Sequence, residues 1–122
     1  MEGPMITAVG LKCGAASLIT KQYRGVKLDG SGDVIVCSAQ GERGIGMLLN
    51  KPAVGEAAQV ALFGTVPFNA DALVAVGAPL TVQNDGQVMT AGAGDYVWGF
   101  CLIAAGAAGY EGTMLLAPQG VL

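Results

Sequence analysis

The chain is 122 residues long, 20 of them glycine, with 52% hydrophobic residues, 12% charged residues and a net charge of -3. That length supports one domain with one core, and a mean hydropathy of +0.55 excludes a disordered chain. There is no histidine, which excludes Ser-His or Cys-His catalysis and any histidine metal site, and the acidic balance argues against a nucleic-acid face.

Residues 1–22 have no clear periodicity. They read as an extended N-terminal arm or as the first strand of the body that follows, with Met5, Ile6, Thr7, Ala8 and Val9 as an apolar stretch suited to adding a strand to a neighbouring sheet edge. Met-Glu-Gly-Pro at the start lacks the basic and apolar regions of a signal peptide. From Tyr23 to the end, short apolar runs alternate with glycine, aspartate, asparagine and proline every eight to twelve residues, the pattern of a small all-β barrel or sandwich. The second domain boundary is therefore 23–122.

Two hairpins stand out in chain order. Asp29-Gly-Ser-Gly-Asp33 separates Tyr23–Leu28 from Val34–Ala39, and Asn84-Asp85-Gly86 separates Leu80–Gln83 from Gln87–Ala91. Both turns supply the left-handed positions that hairpins need. Between them, Glu56–Phe63 has helix-forming residues, but its counterpart Thr113–Pro118 is short and ends in proline, so both are read as strands. Thr65–Phe68 and Ala72–Val76 are two further short strands, with Pro67 suited to an edge or bulge. Val97–Ala108 is apolar but shorter than the ~20 residues of a membrane-spanning helix.

The segments after the two hairpin turns resemble each other at an offset of 53 or 54 positions. Gly32-Asp-Val34 matches Gly86-Gln-Val88, Ile45-Gly-Met47 matches Trp98-Gly-Phe100, and Val60-Ala-Leu62 matches Met114-Leu-Leu116. The fold expected is a small single-domain β-barrel or β-tulip built from two pseudo-repeated hairpin-plus-strand units. The segment from Gly64 to Pro79 lies between the copies, and central glycines such as Gly46 and Gly99 mark bulges or bends.

Charge is unevenly placed. All six basic residues (Lys12, Lys21, Arg24, Lys27, Arg43 and Lys51) precede position 52, and the remainder holds only acids. Such asymmetry can orient a protein on a charged surface.

Candidate chemistry is sparse. Asp29–Asp33 faintly resembles a calcium loop, but residue 40, where the bidentate glutamate belongs, is Gln40, so a plain turn is the reading. Gly41–Gly46 and Ala91–Asp95 are glycine-rich without the Gly-Lys-Ser/Thr of a phosphate loop. The odd set Cys13, Cys37 and Cys101 has no C-x-x-C spacing and reads as free thiols. The aromatic residues Phe63, Phe68, Tyr96, Trp98 and Phe100 read as core or interface side chains. No catalytic residue, cofactor or metal ligand is expected, and the chain reads as a non-enzyme.

Tyr23–Asp29, Gly41-Glu-Arg-Gly-Ile-Gly-Met-Leu-Leu-Asn-Lys-Pro-Ala-Val-Gly-Glu56, Asn84–Val88, Ala93-Gly-Asp-Tyr-Val-Trp-Gly99 and the final Leu-Leu-Ala-Pro118, in that order, resemble the capsid decoration, or cement, proteins of tailed bacteriophages. The resemblance covers Gln22 to Pro118 and is weakest from Val66 to Val76. It implies a virion protein made in the host cytoplasm and seated as a homotrimer on the outside of an expanded capsid. There it would clamp adjoining major capsid subunits, with Met5–Val9 as the nominated contact and neither nucleic acid nor membrane as partner. The other readings are a tail or spike module and a small-ligand or carbohydrate-binding β-barrel.

Overall fold

The computed structural model describes residues 5–8 and 10–122. The described residues form nine strands and no helix: β1 (Met5–Ala8), β2 (Gly25–Leu28), β3 (Val34–Val36), β4 (Gly46–Leu48), β5 (Val60–Asn69), β6 (Pro79–Val82), β7 (Val88–Thr90), β8 (Tyr96–Ile103) and β9 (Glu111–Val121). Hydrogen bonding follows the path β3-β2-β4-β5-β9-β8-β6-β7, with β1 added to β5, and all these ladders are antiparallel. The chain is a small, single-domain, all-β protein, and its sheet is curled but open, with β3 and β7 at the two ends of the path.

The path reads the same from both ends because the fold is a duplication. In the first hairpin Val26 pairs with Val36 and Leu28 with Val34. In the second, Leu80 pairs with Thr90 and Val82 with Val88, each residue 54 positions later. Gly25 pairs with Met47 as Pro79 does with Phe100, and Met47 with Ala61 as Phe100 does with Leu115. Gly46 and Gly99 occupy matching places for one reason: a Cβ on either would run into the carbonyl of Ala61 or of Leu115 on the next strand. A register shift beside Gly99 fits the bulge expected there, whereas Gly46 opens β4 and does not interrupt it.

The duplication reaches further than the sequence pattern shows. Cys13 donates its N–H to the Glu56 carbonyl (2.8 Å) and accepts from Gly55 (3.0 Å). Ala70 likewise donates to Tyr110 (2.9 Å) and accepts from Gly109 (2.8 Å). Leu18 N–H bonds the Pro52 carbonyl as Val74 N–H bonds Ala105, and Tyr23 bonds Leu48 as Gly77 bonds Cys101. Residues 10–22 are thus the opening of the first copy, and the segment 64–78, read as a connector, is the opening of the second. Met5–Ala8 take a strand position in the chain's own sheet, pairing with β5 through Ile6–Phe63 and Ala8–Val60. Met1–Pro4 and Val9 lie outside the described residues.

Three sequence assignments need correction. Glu56–Gln59 are not strand, and the strand begins at Val60. That strand does not stop at Phe63 but runs on through Thr65–Phe68 as one ten-residue element, because Gly64 takes a φ of +117° that lets the backbone twist from the first half (5–63) into the second (64–122) without ending. Ala72–Val76 is not a strand: only Val74 makes a single bridge, to Ala105. Pro67 is tolerated within β5 because Asn69, two residues on and pointing to the same edge, already donates to the Tyr23 carbonyl and not to a strand ladder.

Each half buries the same inward set. Cys13, Leu18, Val26, Val34, Leu48 and Val60 form one cluster. Their counterparts Ala70, Val74, Leu80, Val88, Cys101 and Met114 belong to the other. Each fully buried valine or leucine contributes about 1.5–3 kcal/mol relative to an exposed one. The second cluster also contains Met47 and Ala61 from the outward face of the first half. The two halves therefore stack, the second half covering the outer face of the first.

Candidate interaction face

Trp98 makes that stacking contact. Trp98 and Phe100, two residues apart on β8, share a face, and a register shift between Cys101 and Ile103 then brings Ile103 level with Thr113. Trp98 is 3% exposed, lies against Gly25 and Gly44 of the first half, and donates its indole N–H to the Glu42 carbonyl at 2.9 Å. Gly25 must be glycine for close approach, since a Cβ there would sit 2.5 Å from Val82 Cγ1 and 3.1 Å from the Trp98 ring. The tip of the second hairpin completes the contact. Gly25 N–H donates to the Gly86 carbonyl (2.8 Å), and Arg24 pairs with Asp85 at 3.6 Å.

The matching face of the second half is open. Across β5, β9, β8 and β6, the row Thr65–Leu115–Phe100–Pro79 is set by direct pairing. In the first half the equivalent Met47 and Ala61 are 0% exposed, whereas Phe100 and Leu115 are each 36% exposed. Leu102 and Ile103 extend the patch along β8, and Phe63 with its partner Ile6 borders it on β5 and β1, both exposed. None of these residues is charged. Cross-strand neighbours on one face stand about 5 Å apart, so Leu115 and Phe100 lie side by side, with the Thr65 hydroxyl at the end of the row.

The other candidates from sequence are structural. Asp29 Oδ1 accepts from Ser31 N–H (2.8 Å) and Asp33 N–H (3.0 Å), which makes the segment the closed hairpin turn expected of it. Glu42 ties the Gly41–Gly46 loop: its carboxylate accepts from the N–H groups of Ser38 and Ala39 and from Lys27 Nζ (3.1 Å). Partial burial pushes its carboxyl up, but the Ser38, Lys27 and Ala39 donors outweigh that and hold it below the ordinary glutamate value. Asp95 performs the same turn closure in the second half with one bond, from Gly92 N–H at 2.9 Å.

Cys13, Cys37 and Cys101 are free and buried. Burial raises all three thiols, Cys37 to about 12 with the Glu42 carboxylate adding to the effect, so they stay protonated. Among the described residues no three Cys, Asp or Glu side chains converge in a way that could hold a metal.

Of the nominated contact residues, Ile6 (61% exposed) and Thr7 are exposed, Met5 and Ala8 are half-buried, and Val9 is outside the described residues. One edge of β1 is committed to β5, and the other has no strand partner among the described residues. Phe100 was legible only as a core or interface aromatic, and Leu102, Ile103 and Leu115 were not singled out. In strands apolar on both sides, periodicity cannot tell the inward from the outward residue.

No protein-family model matches the sequence, and no curated protein matches it. Among solved structures the chain is similar to the N base of the head fiber gp8.5 of bacteriophage phi29. The TM-score is 0.72, the identity 17%, and the alignment covers 98% of each chain. The likeness is one of fold.

Proposed function

We propose that this protein is a non-enzymatic structural component of a phage virion, attached to the outer surface of the head. The observation that carries this reading is the end-to-end match of its fold to the base of a phage head fiber. The uncharged apolar face supports it, because subunit-to-subunit contacts in stable assemblies are depleted of charge at their centre.

More specifically, the protein binds the expanded capsid as a homotrimer and stabilises it by clamping adjoining major capsid subunits. The nominated contact is Met5 to Val9, of which Met5–Ala8 form β1, whose free edge can pair with a capsid strand. Three weak attachments made together multiply the affinity of each one. Small size, abundant turns and buried thiols suit a rigid fitting.

Co-sedimentation with expanded, undecorated heads of the cognate phage tests the reading. Saturable binding to expanded heads is expected. Failure to pellet with them at micromolar concentration sinks it. Replacing Thr7 with proline, which removes a donor from β1, is expected to lower head affinity about tenfold if the edge pairs with capsid.

A further inference from the structure

We infer that the open face of the second half, centred on Phe100 and Leu115, is the surface on which a second copy of this chain packs in the assembled oligomer. The inference rests on the homotrimer of the proposed function and specifies its contact surface.

The fold itself shows what this face does. In the first half the corresponding row, Gly25–Met47–Ala61, is sealed by the next repeat along the chain, through Trp98 and Val82. The second half carries the same row on the same ladder register, and no further repeat among the described residues covers it. The stripe on β8 is continuous across the two situations. Trp98 is covered by the first half, and Phe100, next on the same face, is not. A second chain would supply the missing cover.

Charge favours the same occupant. All six basic residues lie in the first half, and the described second half holds Asp71, Asp85, Asp95 and Glu111 with no base. Bringing the second half of one chain against the first half of another opposes unlike charges around an uncharged centre. Contacts of this head-to-tail kind close into rings when the rotation allows.

The intermolecular contact is not a copy of the internal one. Pro79 stands where Gly25 does, so no N–H is available for a hairpin carbonyl and the partner must sit further out. The larger Phe100 and Leu115, in place of Met47 and Ala61, fill that added gap. One counterpart contact is already satisfied within the chain. Gly41 N–H bonds the Val82 carbonyl of the second hairpin, whereas Gly94 N–H bonds the carbonyl of Leu122. The C-terminal residues thus form a rim to the open face.

Sedimentation velocity of the full chain, wild type and Leu115→Glu, tests the inference. The wild type is expected to run as a trimer, and the variant as a folded monomer with unchanged far-ultraviolet circular dichroism. A variant that remains trimeric, or a wild type that is monomeric at 100-fold above the concentration that saturates heads, overturns it. Because Leu115→Glu could disturb folding, Leu115→Cys gives a second measurement. Its thiol is expected to react with an aqueous maleimide at least tenfold more slowly in the trimer than in protein diluted to monomer, and equal rates overturn the inference. Head co-sedimentation of the wild type separates the two ideas, since a trimer built on another surface that still binds heads removes only this inference.

Discussion

The two halves of this chain are the same piece of architecture put to two uses. Residue by residue they share ladder register, turns and inward core, down to the bonds that tie Cys13 to Glu56 and Ala70 to Tyr110. They differ on the outward face. The first half holds all six basic residues and carries Gly25, Met47 and Ala61 at its centre, where the second half stacks closely upon it. The second half has no basic residue and presents Phe100 and Leu115 to solvent. A duplicated fold thus holds an internal control: a position buried in one copy and open in the other shows which contacts build the fold and which stay open to solvent.

The largest effect expected to separate the halves is at the stacking contact. Trp98→Ala removes a buried ring and its hydrogen bond to Glu42, and is expected to cost about 3–5 kcal/mol in urea unfolding. Phe100→Ala, two residues along the same face, is expected to cost under about 1 kcal/mol in the monomer. Equal losses would mean that Phe100 is part of the folded core and that the halves do not differ as described.

Next comes the row itself. Gly25→Ala forces a methyl against Val82 and the Trp98 ring and is expected to destabilise by about 1–3 kcal/mol. Pro79→Ala, at the matching position on the open face, is expected to stay within about 1 kcal/mol.

A third pair concerns the backbone. Tyr23 has a φ of +64°, the only positive value at a described non-glycine residue, and its counterpart Gly77 has +84°. The Gly77 Cβ position is unobstructed, so Gly77→Ala is expected to cost the conformational penalty alone, about 1–2 kcal/mol. Tyr23→Gly relieves the same penalty and offsets the loss of a half-buried side chain. Its midpoint is therefore expected to fall close to wild type.

The smallest contrast is electrostatic. Glu42→Gln is expected to cost about 1 kcal/mol and Asp95→Asn less, because Glu42 also binds Lys27. Since folding lowers the Glu42 carboxyl, its stabilisation is fully present above the ordinary glutamate value and is lost as pH falls through the lowered one. Unfolding midpoints measured from pH 6 down to pH 3 should therefore converge for wild type and Glu42→Gln at the acid end.

The hairpins and the repeat were legible in the sequence because turns carry chemistry that side-chain identity reports. Asp29–Asp33 and Asn84–Gly86 are built of glycine, aspartate, asparagine and serine, and the matching Gly46 and Gly99 have to lack a Cβ. The openings of the two copies were not legible. Residues 12–18 and 70–74 are held by single bridges and scattered backbone bonds, which impose no alternation on the side chains. The continuity of β5 was hidden because Gly64, which reads as a break, is a twist within a strand. The open face was hidden because β8 and β9 are apolar on both sides, and only the stacking of the halves distinguishes Met47 from Phe100.

A reconstruction of the intact phage head at side-chain resolution tests the central claim most directly. The account predicts this fold on the outer surface of the head, with Phe100 and Leu115 covered. Absence of the chain from the virion, or its presence there with that face open to solvent, would contradict it.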